Sequence, residues 1–316
     1  MNQLEDLDHD PAVSELKTVQ DMARWCFSSM NQSDVYFGHG TDNAWDESVQ
    51  LVLFTLALPW HSYDDFKQAG LLASERSRIV QNLHLRLVER VPLPYIFNVA
   101  WYCDLPFYVD ERVLIPRSPI AELIKSRFDR WLENEPSKIL DMCTGSGCIG
   151  IATAYQFRDA EVDLVDLSMD ALEVAQQNID DHNLSDRVFP IQSDLFSSIP
   201  DGVKYDLILA NPPYVDQEDF DLMPNEFEHE PEMALLSGFD GMDAPKQILL
   251  NAARYLSDDG VFVMEVGYSM QNLEAAFPGV KFKWLKFENG GDGVFVMTRK
   301  ELIENQQLIA EACKEA

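Results

Sequence analysis

Apolar positions recur at intervals of three and four through the first part of the chain. Leu16, Val19, Met22 or Ala23, Cys26 and Met30 share one helical face, and Trp45, Val49, Val52 and Leu56 share another. Thr41 or Asp42 is placed to cap the second of these helices and Ser74 to cap a third, with the polar, glycine-bearing run YFGHGTDN as a turn. No alternating β pattern interrupts this stretch, so residues 1–90 read as a helical domain. The texture then changes. Residues 91–118 (VPLPYIFNVAWYCDLPFYVDERVLIPRS) are dense in aromatic, β-branched and proline residues, which predicts a joining β-hairpin segment. From residue 119 to about 300, apolar strands alternate with amphipathic helices: SKILDM, CIGIATAYQF, EVDLVDLS, MDALEVAQQNI, RVFPIQ, YDLILAN, a helix near residues 244–255, and GVFVMEVG. That succession predicts an α/β domain around a largely parallel sheet. VKFKWLKF and GVFVMTRK, separated by ENGGDG, read as a terminal antiparallel pair, and residues 301–316 as a loosely helical tail.

Composition sets limits on partners. Lys and Arg number 24 against 54 Asp and Glu, a formal charge of -30, which disfavours binding to phosphate backbones or anionic membranes. A basic partner and a merely well-solvated surface both remain open on charge alone. The five cysteines form no disulfide framework, and Cys143 and Cys148 lack a second pair or spaced histidines, so buried thiols in a reducing compartment are expected and no metal site. The start, MNQLEDLDHDP, has neither a basic nor an apolar leader region, and the longest apolar run, LVLFTLALPW, is too short to span a bilayer. A cytoplasmic protein is the expectation.

Candidate chemistry begins where the strand SKILDM runs into Cys143-Thr144-Gly145-Ser146-Gly147-Cys148-Ile149-Gly150, a GxGxxG spacing at a strand-to-helix turn. Asp166 follows about 20 residues after the first glycine, at the end of the next strand, where a carboxylate can accept from ribose hydroxyls. Glycine spacing alone allows a nicotinamide dinucleotide. Asp141, just before the loop, suits a cationic amino group better than a pyrophosphate, and S-adenosylmethionine carries a ribose and an ammonium without phosphates. Asp194 follows a third apolar segment and can accept from an adenine amino group, with Leu195 or Phe196 packing on the ring. A turn or helix cap is the plainer role for that aspartate.

The strand YDLILA ends in Asn211-Pro212-Pro213-Tyr214. Two prolines fix two φ angles and remove two N–H donors, leaving a stiff cluster of acceptors beside an aromatic ring. A planar NH2 group is a poor nucleophile because its lone pair is delocalised, and its two N–H bonds need two acceptors. The Asn211 side-chain oxygen and the Pro212 carbonyl can supply them, with Tyr214 stacking on the planar group.

The tetrapeptide and the glycine loop together resemble the class I S-adenosylmethionine-dependent methyltransferases that modify planar nitrogens. The resemblance implies a Rossmann-like, seven-stranded sheet behind an N-terminal helical substrate-recognition domain. It implies that Asp141, Thr144, Gly145, Ser146, Gly147 and Asp166 contact the cofactor, that Asp194 and Leu195 border its adenine, and that Asn211, Pro212, Pro213 and Tyr214 hold the acceptor amide. The same tetrapeptide occurs in DNA adenine methyltransferases, but the chain lacks a basic face. PLPYIF, VLIPR, the TGSG loop, NPPYVD and EHEPEMALLSGFDGMD are similar, nearly along the full chain, to the protein-glutamine methyltransferases. The release-factor branch of that family usually reads IPR-P-D-T-E, whereas this chain has Ile115-Pro116-Arg117-Ser118-Pro119-Ile120-Ala121-Glu122. DMCTGSGCIG, SDLF, the extended N-terminus and FENGGDGVFVM resemble the branch that methylates a glutamine of ribosomal protein number three of the large (50S) subunit, releasing S-adenosylhomocysteine. Five flanking residues have plainer readings beside functional ones: Arg117 anchors a peptide or pairs with Glu122, Phe107 and Tyr108 line the glutamine channel or sit in the core, and Glu230 and Glu265 read as ordinary carboxylates.

Overall fold

The computed structural model describes residues 10–314. The first nine residues of the acidic start and the last two of the tail lie outside the described residues. The chain divides into two compact units, Met1–Val99 with Pro224–His229, and Ala100–Met223 with Glu230–Ala316.

In the first unit, the helix Val19–Asn31 starts where Thr18 and Asp21 close a capping box: the Thr18 hydroxyl accepts from the Asp21 N–H at 3.1 Å, and the Asp21 carboxylate accepts from the Thr18 N–H at 2.9 Å. Its buried face carries Val19, Met22, Ala23, Cys26 and Met30, the stripe that periodicity marks out. The next helix, Ala44–Thr55, departs from expectation twice. Asn43 caps it, accepting from the Asp46 N–H at 2.9 Å, while the Thr41 hydroxyl donates to Glu47 at 2.6 Å. Its buried face includes Glu47, Ser48, Leu51 and Val52, and Trp45 is 39% exposed. The physical reason is Arg86. This residue, in the helix Ala73–Leu87, is buried with its guanidinium on Glu47, on Glu226 at 3.0 Å and on the Tyr36 carbonyl at 2.6 Å. Burying Glu47 to pair it turns the helix away from its purely apolar stripe. Ser74 lies inside the helix Ala73–Leu87; its first turn is closed by Glu75, which accepts from the Leu72 N–H at 2.8 Å.

PLPYIF forms a short helix, Leu93–Phe97, ended by Asn98 at φ +51°. In the second unit, β1 (Ala100–Tyr102) and β2 (Leu105–Phe107) pair antiparallel across Cys103 and Asp104. Both turn residues have positive φ, +50° and +65°, as a type I′ hairpin requires. The main sheet has β3 (Lys138–Met142), β4 (Glu161–Asp166), β5 (Val188–Gln192), β6 (Tyr205–Ala210), β7 (Leu256–Glu265) and β8 (Val294–Thr298), in the order β5-β4-β3-β6-β7-β8. All neighbours are parallel except β7 and β8. Alternate residues feed different cores: Leu207, Leu209, Val261 and Val263 join one, and Ile208, Ala210, Phe262 and Met264 the other. Burial on both faces explains why these strands read as continuous apolar runs. Beyond β8, the run VKFKWLKF is reduced to one antiparallel bridge, Trp284 to Phe295, so among the described residues the sheet has six formed strands where seven are expected. That run lies at the sheet edge and carries Lys281, Lys283 and Lys286, charges that shorten edge pairing. Among the described residues no helix is long and apolar enough to cross a membrane.

Candidate active site

The sheet order reverses at β3, which has β4 on one side and β6 on the other, and ligands of open α/β sheets bind beyond the strand ends at such a switch point. Register levels those ends. Met142 stands opposite Val165 and Ala210, and Asp166 opposite Gln192, so the loops that follow four strands start side by side. Between them lies a cavity of about 470 Å³, within the ordinary range for a small-molecule site. Thr144, Gly145, Ser146, Asp166, Asp194, Leu195, Asn211 and Pro213 line it. Asp141, Gly147, Pro212 and Tyr214 are not in its wall.

The glycine loop is built for close approach. Gly145 has φ +55°, and no atom lies within 4 Å of where its Cβ would stand. Gly150 serves packing: a Cβ there would come within 2.2 Å of Leu164 and 3.0 Å of Asp141, so the helix Cys148–Gln156 can lie against β3 and β4 only without a side chain. Asp166 orders the loop, accepting from the Gly145 N–H and the Ser168 N–H, each at 2.9 Å. Burial pushes its carboxyl above the usual carboxylate range. Cys143 and Leu195, in the same wall, hold positive φ without being glycine, at +59° and +48°.

In the two candidate motifs, one buried oxygen of Asp141 and one of Asn211 have no partner. Asp141 is fully buried, and one oxygen accepts from the Thr144 hydroxyl and from the Gly150 N–H at 2.9 Å. The other oxygen has no hydrogen bond. Burial pushes this carboxyl up to about 7, so a neighbouring cation would favour its ionised form. The Asn211 side-chain oxygen, in the cavity wall, is likewise buried and without a partner. A donor-rich ligand carrying an ammonium fits this set, and S-adenosylmethionine carries one.

A family model described as "Methyltransferase small domain" matches residues 124–235, from before β3 to beyond the NPPY segment. A ribosomal protein uL3 glutamine methyltransferase of Francisella tularensis is 46% identical over 294 residues, 92% of this chain and 93% of that one. One of the same description from Neisseria meningitidis is 46% identical over 295 residues, 92% of this chain and 96% of that one. This chain belongs to the uL3 glutamine methyltransferase family. Among solved structures, a methyltransferase from Pyrococcus furiosus is 16% identical, with a TM-score of 0.45, covering 72% of this chain and 99% of that one. Family membership sets aside the dehydrogenase, DNA-adenine and release-factor alternatives.

Several features of this uL3 methyltransferase family member escape sequence reading. Arg117 lines the cavity and forks onto Glu230 at 2.6 and 2.7 Å, not onto Glu122. Glu230 also accepts from the Ile115 N–H at 2.9 Å. Glu122 instead accepts from the backbone of Glu288 and Asn289, at 3.0 and 2.8 Å, and so anchors the ENGGDG turn. The Tyr214 ring lies against Gly267, where a Cβ would come within 2.7 Å of it, and its hydroxyl donates to Glu265 at 3.3 Å. Phe107 is core, packed on the His182 ring, and Tyr108 donates to Asp110 at 3.0 Å. All five cysteines are free, and among the described residues no cluster of three His, Cys, Asp or Glu is arranged to hold a metal.

Proposed function

We propose that this chain transfers a methyl group from S-adenosylmethionine to the side-chain amide nitrogen of a glutamine in ribosomal protein uL3. The observation that carries the reading is the unpartnered Asn211 oxygen, buried in the wall of the cavity that the glycine loop also lines. When bound, S-adenosylmethionine supplies an electrophilic methyl carbon that leaves its sulfur as a neutral thioether. In this reading the Asp166 oxygens retain lone pairs for ribose hydroxyls, Asp141, held behind Thr144, supplies negative charge near the ammonium, and Asp194 and Leu195 border the adenine. Gly145 and Ser146 bring the backbone to the ligand, Gly147 lets the loop pack on Leu164 and Ile151, and Thr144 holds Asp141 in place. One N–H of the substrate amide takes the Asn211 oxygen, while Pro212, outside the cavity wall and so not the second acceptor expected from the sequence, stiffens the segment that carries Asn211. The prolines keep competing donors out of that segment. Holding nitrogen and methyl together contributes to the rate through proximity, up to roughly 7–11 kcal/mol in well-oriented systems. No general base is required before the new bond forms; the amide proton leaves afterwards.

The helical unit is assigned to substrate recognition, and the acidic surface to attraction of a basic ribosomal protein without direct nucleic-acid specificity. A ribosomal substrate implies the cytoplasm. Incubating the purified chain with methyl-labelled S-adenosylmethionine and ribosomal protein extract from a strain lacking this methyltransferase tests the reading. Label on a uL3 glutamine, located by mass spectrometry, is expected. Label on another protein, or on nucleic acid, sinks it.

A further inference from the structure

Behind the cavity, at the end of β7, sits a carboxylate that the reaction as described does not use. Glu265 is 5% exposed and outside the cavity wall, yet it holds a residue of that wall and the last residue of the acceptor tetrapeptide together. One oxygen accepts from the Tyr214 hydroxyl at 3.3 Å, and the other from the Ser118 hydroxyl. Ser118 lines the cavity, and its own oxygen accepts from the Ile120 N–H at 3.2 Å, which fixes its position at the start of the next helix. Tyr214 closes the acceptor tetrapeptide, and its main-chain carbonyl accepts from the Ser269 hydroxyl at 2.8 Å. The backbone behind the ring has no room to yield: a Cβ on Gly293 would come within 1.9 Å of the Gly267 carbonyl.

We propose that Glu265 is a positioning residue for methyl transfer, a carboxylate clamp that joins Tyr214 of the acceptor tetrapeptide to Ser118 of the cavity wall and so sets the placement of Asn211. This rests on the function proposed above. Ionised Glu265 accepts from both hydroxyls; once one of its oxygens carries a proton, that oxygen donates and the hydroxyl facing it turns its own hydrogen away and accepts, so protonation reverses the polarity of one contact. The groups facing Glu265 are Arg117 and Ser118 from the joining segment, Tyr214 after β6, and Tyr102 from β1, with Glu230 beyond Arg117. Burial raises the carboxyl, and the hydrogen bonds from Ser118 and Tyr214, then the charge of Arg117, oppose that rise, leaving it at about 7.

The test is carried out on the full chain with 13C-labelled tyrosine rings, the Tyr214 signal being assigned with Tyr214→Phe. The Tyr214 resonance is expected to shift through about pH 7 in the native protein and to lose that inflection in Glu265→Gln. With uL3 as substrate, Glu265→Gln and Ser118→Ala should lower kcat about tenfold while S-adenosylhomocysteine affinity stays within about twofold, as expected when misplacement of reacting groups is the defect. Ser118→Thr, which keeps the hydroxyl, should restore most of kcat. A Tyr214 resonance indifferent to both Glu265→Gln and Ser118→Ala overturns the clamp. A resonance that responds as expected, in an enzyme that leaves uL3 unlabelled, supports the clamp and overturns the substrate assignment instead.

Discussion

Asp141 and Asn211 each have a buried side-chain oxygen without a partner, and each makes a separable prediction. Asp141 stays protonated up to about pH 7 in the folded chain, whereas an unfolded aspartate ionises near 4. The folded state therefore binds the extra proton between these values, and without ligand this group's contribution to stability falls as pH rises from about 4 to about 7. A ligand ammonium acts in the opposite sense because it needs the ionised form. S-adenosylhomocysteine, which keeps the ammonium, should bind about tenfold more weakly at about pH 6 than on a plateau above 7, and Asp141→Asn should flatten that dependence in a calorimetric titration. Asn211→Ala should cut kcat by at least about tenfold and leave cofactor affinity nearly unchanged; equal losses in both would contradict its assignment to the amide. These two residues are legible in the chain because each sits within a short contiguous motif whose strand fixes its place. Glu265 and Glu230 are not, since their partners Ser118 and Arg117 lie 147 and 113 residues away and only folding brings them together.

Secondary elements were legible where one force dominates. The parallel strands are buried on both faces, so their sequence is apolar throughout and their order follows from the strand and helix alternation. The helix Val19–Asn31 shows its stripe plainly because every buried position is apolar. The helix Ala44–Thr55 hides its true face, since the residue that turns it inward is a carboxylate whose partner Arg86 belongs to another helix. The edge run at residues 280–287 misleads in the other direction, with strand-like alternation that yields a single bridge. The contact between the helix Cys148–Gln156 and the sheet depends on one position. Gly150→Ala places a methyl 2.2 Å from Leu164, and the resulting overpacking should cost about 1–3 kcal/mol in urea unfolding and weaken S-adenosylhomocysteine binding by moving the Asp141 contact.

For the molecule as a whole, the charge of -30 bears on association more than on the fold. If the surface draws in a basic protein, kcat/KM for uL3 should fall about tenfold between low and high salt, while kcat at saturation changes little. A salt-independent kcat/KM would leave the carboxylate excess as a solubilising surface. The two-unit division has a further consequence through Pro224–His229, which follows the acceptor tetrapeptide in sequence but belongs to the helical unit, with Glu226 buried on Arg86. The polypeptide passes from one unit to the other three times, so a cut near residue 99 frees neither as a self-contained piece. A truncation that begins at residue 100 would strip Glu226 of Arg86 and Arg90, and one that stops at residue 99 would leave Arg86 with one carboxylate, Glu47, in place of two. Transplanting the helical portion onto a related catalytic core therefore calls for moving two stretches of chain together.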